Sequence, residues 1–232
     1  MSSRARLGLL LVALSFGFVL LAAVVGFQGI GAVFGVVLVW CAVASQLVGI
    51  AYFTGEPNVF GKRRDGSLPL ARRIVFGPYL VVAKAIAWLL PRLFHTRDHD
   101  EVAPGILLGR WVSPVPAHVT TVLDLTAELP RIPGGTAEYL PLPTLDGTAP
   151  DPRSVVLAVR TLADRDGAIL LHCAAGHGRS AMVAGALLVQ RGVVATAEEA
   201  EAHLRRHRPG VSLSRDQRQA LARVIDLLRA PP

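Results

Sequence analysis

Between residues 7 and 53 the chain carries no Asp, Glu, Lys or Arg, and this constrains its N-terminal part more than any other feature. Two apolar runs, 7–27 and 30–53, are separated by little more than Gln28 and Gly29. Each has about the 20 residues that a helix needs to cross a bilayer. Backbone groups in hydrocarbon must be satisfied within the segment, so runs of this length fold as helices. The first is too long for a signal-peptide core, and it leads into further apolar residues instead of a cleavage site and a soluble sequence. The expected structure is a transmembrane hairpin. Arg4 and Arg6 precede it and Lys62, Arg63, Arg64, Arg72 and Arg73 follow it, which puts both ends in the cytoplasm and the Gln28-Gly29 turn on the other side. Gly17, Gly31, Gly35, Ala42 and Gly49 either let the helices approach closely or are ordinary membrane-helix composition. Cys41 reads as a lipid-phase or packing residue.

A third apolar stretch, 74–94, has spanning length but contains Pro78, Lys84 and Pro91. A lysine in mid-membrane is costly, and a third crossing would carry Cys173 out of the reducing compartment that a reactive thiol needs. The favoured reading is a helix in the cytoplasmic interface, with Lys84 and Arg92 snorkelling and Tyr79 and Trp88 as anchors. The charged segment 97–101 then turns the chain into water. It divides a membrane region, 1–96, from a soluble domain, 97–232. His95 and His99 lack the Cys/His spacing of a metal site. The net charge of +7 suits an anionic membrane surface, and no nucleic-acid motif accompanies it. Two cysteines, Cys41 and Cys173, do not make a disulfide framework.

Within the soluble part, the run 168–171 reads as a buried strand and the residues after Ser180 as a buried helix. Between them stand His172, Cys173, Ala174, Ala175, Gly176, His177, Gly178, Arg179 and Ser180. A strand, a tight glycine-containing loop and a helix N-terminus aim backbone N–H groups at one point, which favours an anion. Cys173 would face it as a thiolate. Arg179 can hold two phosphoryl oxygens with its planar fork, Ser180 can hydrogen-bond the sulfur as it leaves, and His172 orients the loop from behind.

This His172-Cys173-x5-Arg179-Ser180 arrangement resembles the signature of the cysteine-dependent protein tyrosine phosphatase superfamily, in its dual-specificity branch. The resemblance extends over about residues 101–229. It takes in a short strand at 106–108, a β-branched strand at 119–125 with its exit at 126–130, an extended segment at 138–143, and an ending with an Arg-Pro turn and Gln217 before the last helix. It implies an α/β domain with a central sheet flanked by helices, placed after the transmembrane hairpin. It also implies a general-acid aspartate on the loop after the extended segment. Asp146 matches best, since Asp151 stands before Pro152 as the expected N-cap of an amphipathic helix over 152–164. Asp124 reads as structural. Thr196 and Glu199 form a capping box, Gly192 ends the helix before them, and Leu221, Val224, Ile225 and Leu228 give the last helix an apolar face.

The implied reaction is phosphomonoester hydrolysis through a cysteinyl-phosphate, with Cys173 as nucleophile, Asp146 as acid and base, and the N–H groups of Ala174 to Arg179 cradling phosphate. No metal or cofactor is expected. A membrane-anchored protein phosphatase acting on phosphotyrosine, phosphoserine or phosphothreonine is the first expectation. A phosphatase of phosphatidylglycerophosphate or a monophosphoinositide is the alternative, and an inactive phosphate-binding module a further one. Ala174, Ala175 and His177 stand where phosphoinositide phosphatases place lysines, which argues against a highly phosphorylated inositol ring. Arg205, Arg206, Arg208, Arg215 and Arg218 read as a solvated face or a contact with anionic lipid or acidic substrate. Gln217 could position the hydrolytic water.

Overall fold

A computed structural model of the protein describes residues 3–28, 31–111, 115–132 and 135–230. The chain begins with two long helices, α1 (Ser3–Val25) and α2 (Gly31–Thr54). Both are long and apolar enough to cross a membrane. Their flanks are bare: Leu10, Phe16, Leu20, Val33, Phe34 and Val36 are all exposed. The helices meet where Gly8 and Gly49 face each other, because a Cβ on either would lie 3.1 Å from the carbonyl oxygen of the other. Ser15 Oγ donates to Gln46 Oε1 across the seam at 2.6 Å. Of the small residues singled out in the sequence, Ala42 and Gly49 are buried and Gly35 packs on the Phe27 ring, whereas Gly17 has nothing near it. The turn between the helices includes Gly29, which lies outside the described residues.

After a 3₁₀ turn, Pro57–Phe60, come α3 (Leu70–Val75) and α4 (Gly77–Leu93), with an elbow at Phe76, and the third apolar stretch is nearly all α4. The proline that follows Gly77 favours a helix start there, since its ring presets φ and it lacks a donor. Neither piece is among the helices of spanning length. The Trp40 indole donates to the carbonyls of Ile74 and Val75, at 2.9 and 3.1 Å, and so satisfies groups that the elbow frees. About 21 Å of helix axis separate Trp40 from the end of α2, so the elbow rides on the side of that helix.

The remaining chain forms a five-stranded sheet in the order β1-β2-β5-β3-β4. Its strands are β1 (His99–Ala103), β2 (Ile106–Arg110), β3 (Val119–Thr126), β4 (Glu138–Thr144) and β5 (Ala168–Cys173). β1 is antiparallel to β2, and the other pairings are parallel. Pro141 and Pro143 confine β4 to the edge, since proline cannot donate to a ladder on both sides. Helices α5 (Pro152–Ala163), α6 (Arg179–Gln190), α7 (Ala197–His207) and α8 (Arg215–Arg229) bury the main core, with Ile106, Leu108, Leu123, Ile169 and Leu171 from the strands against Val155, Val159, Met182 and Leu187. Asp151 caps α5, accepting from Ser154 N at 2.9 Å. The Thr196–Glu199 capping box forms, and Ser214 with Gln217 makes a second one on α8.

One expectation needs correction. The segment 97–101 is no solvated linker: most of it is strand β1, and Asp98 and Asp100 pair with the buried Arg110 and Arg208. These partners convert a charged run into an edge strand. Lys62, counted in the sequence among the positive charges that follow the second apolar run, is buried against the sheet, with Nζ 2.6 Å from Asp124 Oδ2.

One apolar cluster joins the two parts of the chain. Val48, Ala51 and Tyr52 of α2 and Phe76 and Leu80 from the elbow and α4 share it with Phe60, Ala127 and Leu145. Phe60 meets Phe76 edge-on at 5.1 Å and stacks on Tyr79 at 5.5 Å.

Candidate active site

β5 is the central strand of the sheet, and its C-terminal end is flanked by those of β2 and β3, with Arg110 opposite Cys173 and Asp124 opposite His172. Ligands of open parallel sheets bind beyond the carboxyl ends of the strands. Here the chain leaves Cys173, makes a tight loop and enters α6, whose N-cap Gly178 provides no side-chain cap. The first N–H groups of α6 are therefore left for an anion. Gly176 has φ +74°, and a Cβ there would lie 2.4 Å from the Gly109 carbonyl oxygen, so only glycine fits.

Cys173 is buried, and its Sγ accepts hydrogen bonds from Gly176 N and Ser180 Oγ, both at 3.2 Å. Burial alone would push the thiol up. The Arg179 guanidinium and the hydrogen bonds from Ser180 outweigh it and bring Cys173 below the ordinary thiol value, which favours the nucleophilic thiolate.

Arg179 is fully enclosed. Its fork meets Glu128 in bidentate fashion, Nη1 to Oε2 at 3.1 Å and Nη2 to Oε1 at 3.0 Å, and Nη1 also donates to the Thr144 carbonyl at 2.8 Å. Nη2 lies 2.8 Å from Asp146 Oδ1. Its Nε is buried without a partner among the described residues, a donor still uncommitted. Burial opposes the charge, but Glu128 and Asp146 more than offset it and raise the pKa of Arg179 further.

Asp146 is the exposed member, with 63% of its side chain accessible. Its loop is held at both ends. Tyr52, in the last turn of α2, donates its hydroxyl to the Asp146 carbonyl at 2.9 Å. Gln217 of α8 donates to the Thr148 carbonyl at 2.9 Å while its Oε1 accepts from Ser214 N. Both ends of the Gln217 amide are thus committed to structure.

Arg208 is neither solvated nor lipid-facing. It is buried behind the loop, with Nε donating to the Gly176 carbonyl at 3.0 Å, Nη2 to Ala175 at 3.2 Å, and Nη1 to Asp100 Oδ2 at 2.6 Å. Arg205 and Arg218 pair with Glu201. His172 stands beneath the loop with Nε2 3.7 Å from Asp124 Oδ2. Burial holds His172 below its usual pKa, aided by Lys62 and opposed by Asp124.

His177 is lowered from 6.5 to about 4, first by burial and then by Arg208. Between those values the unfolded chain binds a proton that the folded protein refuses, so stability falls as pH drops through this window and levels off below it. The depressed His172 acts with the same sign. The urea midpoint of the wild type is therefore expected to decline from pH 6.5 toward 4, and His177→Gln to recover part of that loss. An unchanged pH dependence in the variant would show that His177 titrates as in the unfolded chain.

The structure brings Cys173, Arg179, Ser180, His172 and Asp146, all singled out in the sequence, to one end of the sheet. Sequence reading did not single out Glu128 or Tyr52, and it gave Arg208 and Lys62 other roles. Glu128 alone had a visible signal, a lone carboxylate in an otherwise apolar strand exit.

Residues 112–225 match the family model described as "PTP-SAK: Swiss Army Knife protein, DSP-PTPase phosphatase domain". Over this region, just under half of the chain, the sequence is similar to a dual-specificity phosphatase-type domain. It carries the machinery of a cysteine-dependent phosphatase. Among solved structures, the phosphatase fold is shared with the human tyrosine phosphatase-like serine/threonine/tyrosine-interacting protein, at 18% identity and TM-score 0.50, over 58% of this chain and 100% of that one. Tk-PTP in its active form is 24% identical over 56% of this chain and 97% of that one, with TM-score 0.48. PTPMT1 in complex with PI(5)P is 20% identical over 57% and 97%, with TM-score 0.46. A comparison with curated proteins finds no match.

Proposed function

We propose that this protein hydrolyses phosphomonoesters at a membrane surface, without a metal, through a phosphorylated Cys173. The carrying observation is that the Cys173 Sγ, hydrogen-bonded by Gly176 N and Ser180 Oγ, shares its site with the Arg179 fork and Asp146. In the first step Sγ bonds to phosphorus as the bond to the leaving oxygen breaks, and Asp146 gives that oxygen its proton. In the second, water bonds to phosphorus and passes a proton to Asp146, while the departing sulfur is received as a thiolate by Ser180. Arg179 and the loop N–H groups hold the equatorial oxygens through both steps.

The membrane placement rests on the bare flanks of α1 and α2, a larger apolar surface than monomeric soluble proteins expose. Both open ends of the hairpin lie on the phosphatase domain, Ser3 N donating to Asp216 at 3.1 Å and Tyr52 to Asp146. With the flanking arginines, this fits two crossings and a catalytic domain in the cytoplasm.

Cys173→Ser is expected to abolish phosphate release. Asp146→Asn should lower kcat by about 10²–10⁴ on alkyl phosphates, and far less on p-nitrophenyl phosphate, whose leaving group needs no proton. Equal losses on both substrates would remove Asp146 from the acid role, and turnover by Cys173→Ser would end the covalent mechanism.

A further inference from the structure

A cavity of about 860 Å³ runs from the apolar face of α4 to the phosphate loop. It shares Asp146, Ala175 and His177 with the cavity of about 330 Å³ that contains Cys173 and Arg179, so the two are compartments of one site. The outer wall is Ile86, Leu90 and Phe94, exposed to 51%, 44% and 76%. Apolar side chains beside a phosphate-binding loop have no role in holding an anion, and they are left in contact with whatever fills the groove.

Resting on the phosphomonoesterase reading, we infer that the substrate is a membrane lipid ending in one phosphomonoester, its phosphate on the Cys173 loop and the start of its acyl region along α4. Three observations converge on this occupant. First, α4, which forms the groove wall, packs at its start on α2 through the Trp40-held elbow and Leu80, so one helix runs from a neighbour of spanning length to the groove and gives a lipid a path along it. Second, the α4 wall offers an extended peptide no free backbone N–H to pair with. An α-helix has spent its backbone N–H groups internally, whereas an extended phosphopeptide needs main-chain partners. Third, the charges suit a single anionic headgroup. Exposed Arg206 and Arg97 stand at the rim, the loop itself brings only Arg179 as a cation, and the buried Nε2 of His177 lacks a partner among the described residues and can meet a headgroup hydroxyl. At the outer edge, Arg92 lies over the Trp88 ring at 4.1 Å, an amphipathic pair of the kind that anchors a helix in an interface.

The test uses the full chain in phosphatidylcholine vesicles. Phosphate release is followed from dioleoyl phosphatidic acid, glycerol 3-phosphate, a phosphotyrosine peptide and p-nitrophenyl phosphate, for the wild type, Leu90→Asp, Phe94→Asp and, away from the groove, Leu157→Asp. Leu90, Phe94 and Leu157 are all exposed, so the core is untouched by these changes. The wild type should prefer the lipid to glycerol 3-phosphate and to the peptide. Leu90→Asp and Phe94→Asp should each reduce the lipid to p-nitrophenyl phosphate ratio roughly fifteenfold, the worth of about two buried methylenes, and Leu157→Asp should leave it unchanged. A peptide preference, or a ratio indifferent to Leu90 and Phe94, overturns the lipid assignment while leaving the phosphatase intact. No release from any substrate, p-nitrophenyl phosphate included, overturns the underlying reading as well.

Discussion

Arg179→Lys is expected to lower kcat by about 10²–10³ while the protein stays folded, measured as phosphate release alongside thermal unfolding. The size follows from removing a preorganised donor at the point where transition-state charge accumulates. Lysine keeps the charge, and so Glu128 keeps a cation and the buried pair is not orphaned. What lysine lacks is the fork. Arg179 spends Nη1 and Nη2 on the two Glu128 oxygens and still has Nε uncommitted, so one side chain can be held rigidly and bind phosphate together. An ammonium, as a single point charge, must choose between them. Arg179→Ala is the contrasting variant, since it leaves Glu128 buried without its cation and should cost about 3–5 kcal/mol of stability as well as activity. If Arg179→Lys stayed within tenfold of the wild type, the Glu128-braced fork would not be the source of phosphoryl stabilisation.

The same residues show where sequence reading succeeds and where it stops. The Cys173 loop was legible because its chemistry is local: nucleophile, turn glycines and arginine lie within one strand-loop-helix passage, and each residue type is demanded by its neighbours. The strands at 106–108 and 119–125 and the helices after Asp151 and Thr196 were legible for a like reason, as periodicity and capping are short-range. Glu128, Arg208 and Lys62 were not, because their roles depend on distant partners. Arg208 looks like one of a basic surface set until Asp100 and the carbonyls of Ala175 and Gly176 are seen around it. Strand β1 was hidden by its charges: Asp100 is paired with Arg208, far along the chain, and Glu101 accepts from Gly105 N. The 74–94 stretch was ambiguous in sequence because Pro78, Lys84 and Pro91 interrupt its apolar run, and the elbow near its start is held by Trp40 of a different helix.

Lys62→Met is expected to destabilise the phosphatase domain by about 3–5 kcal/mol, a fall in Tm of about 10 °C for a chain of this size. Lys62 and Asp124 are 1% and 0% exposed, and the ammonium also donates to the carbonyl and hydroxyl of Thr126, at 2.7 and 2.9 Å. Methionine fills most of the same space but leaves the Asp124 carboxylate with only the Tyr139 hydroxyl and Thr126 as donors. A buried carboxylate that loses its cation must bear the desolvation cost or take up a proton, and either penalises the fold. The double variant Lys62→Met, Asp124→Asn should lose less than the sum of the single losses, because the two side chains belong to one network. The consequence reaches the N-terminal helices too. Lys62 follows α2 closely in sequence, and its pairing fixes that segment to the end of β3, opposite His172 beneath the Cys173 loop. Protease cleavage within 61–69 should therefore accelerate in Lys62→Met at temperatures where the sheet is still folded. A Tm within about 2 °C of the wild type, an energy below about 1 kcal/mol, would mean that Asp124 is satisfied without Lys62 and that α2 is held on the domain by the Phe60, Phe76 and Leu145 cluster and the Tyr52–Asp146 hydrogen bond.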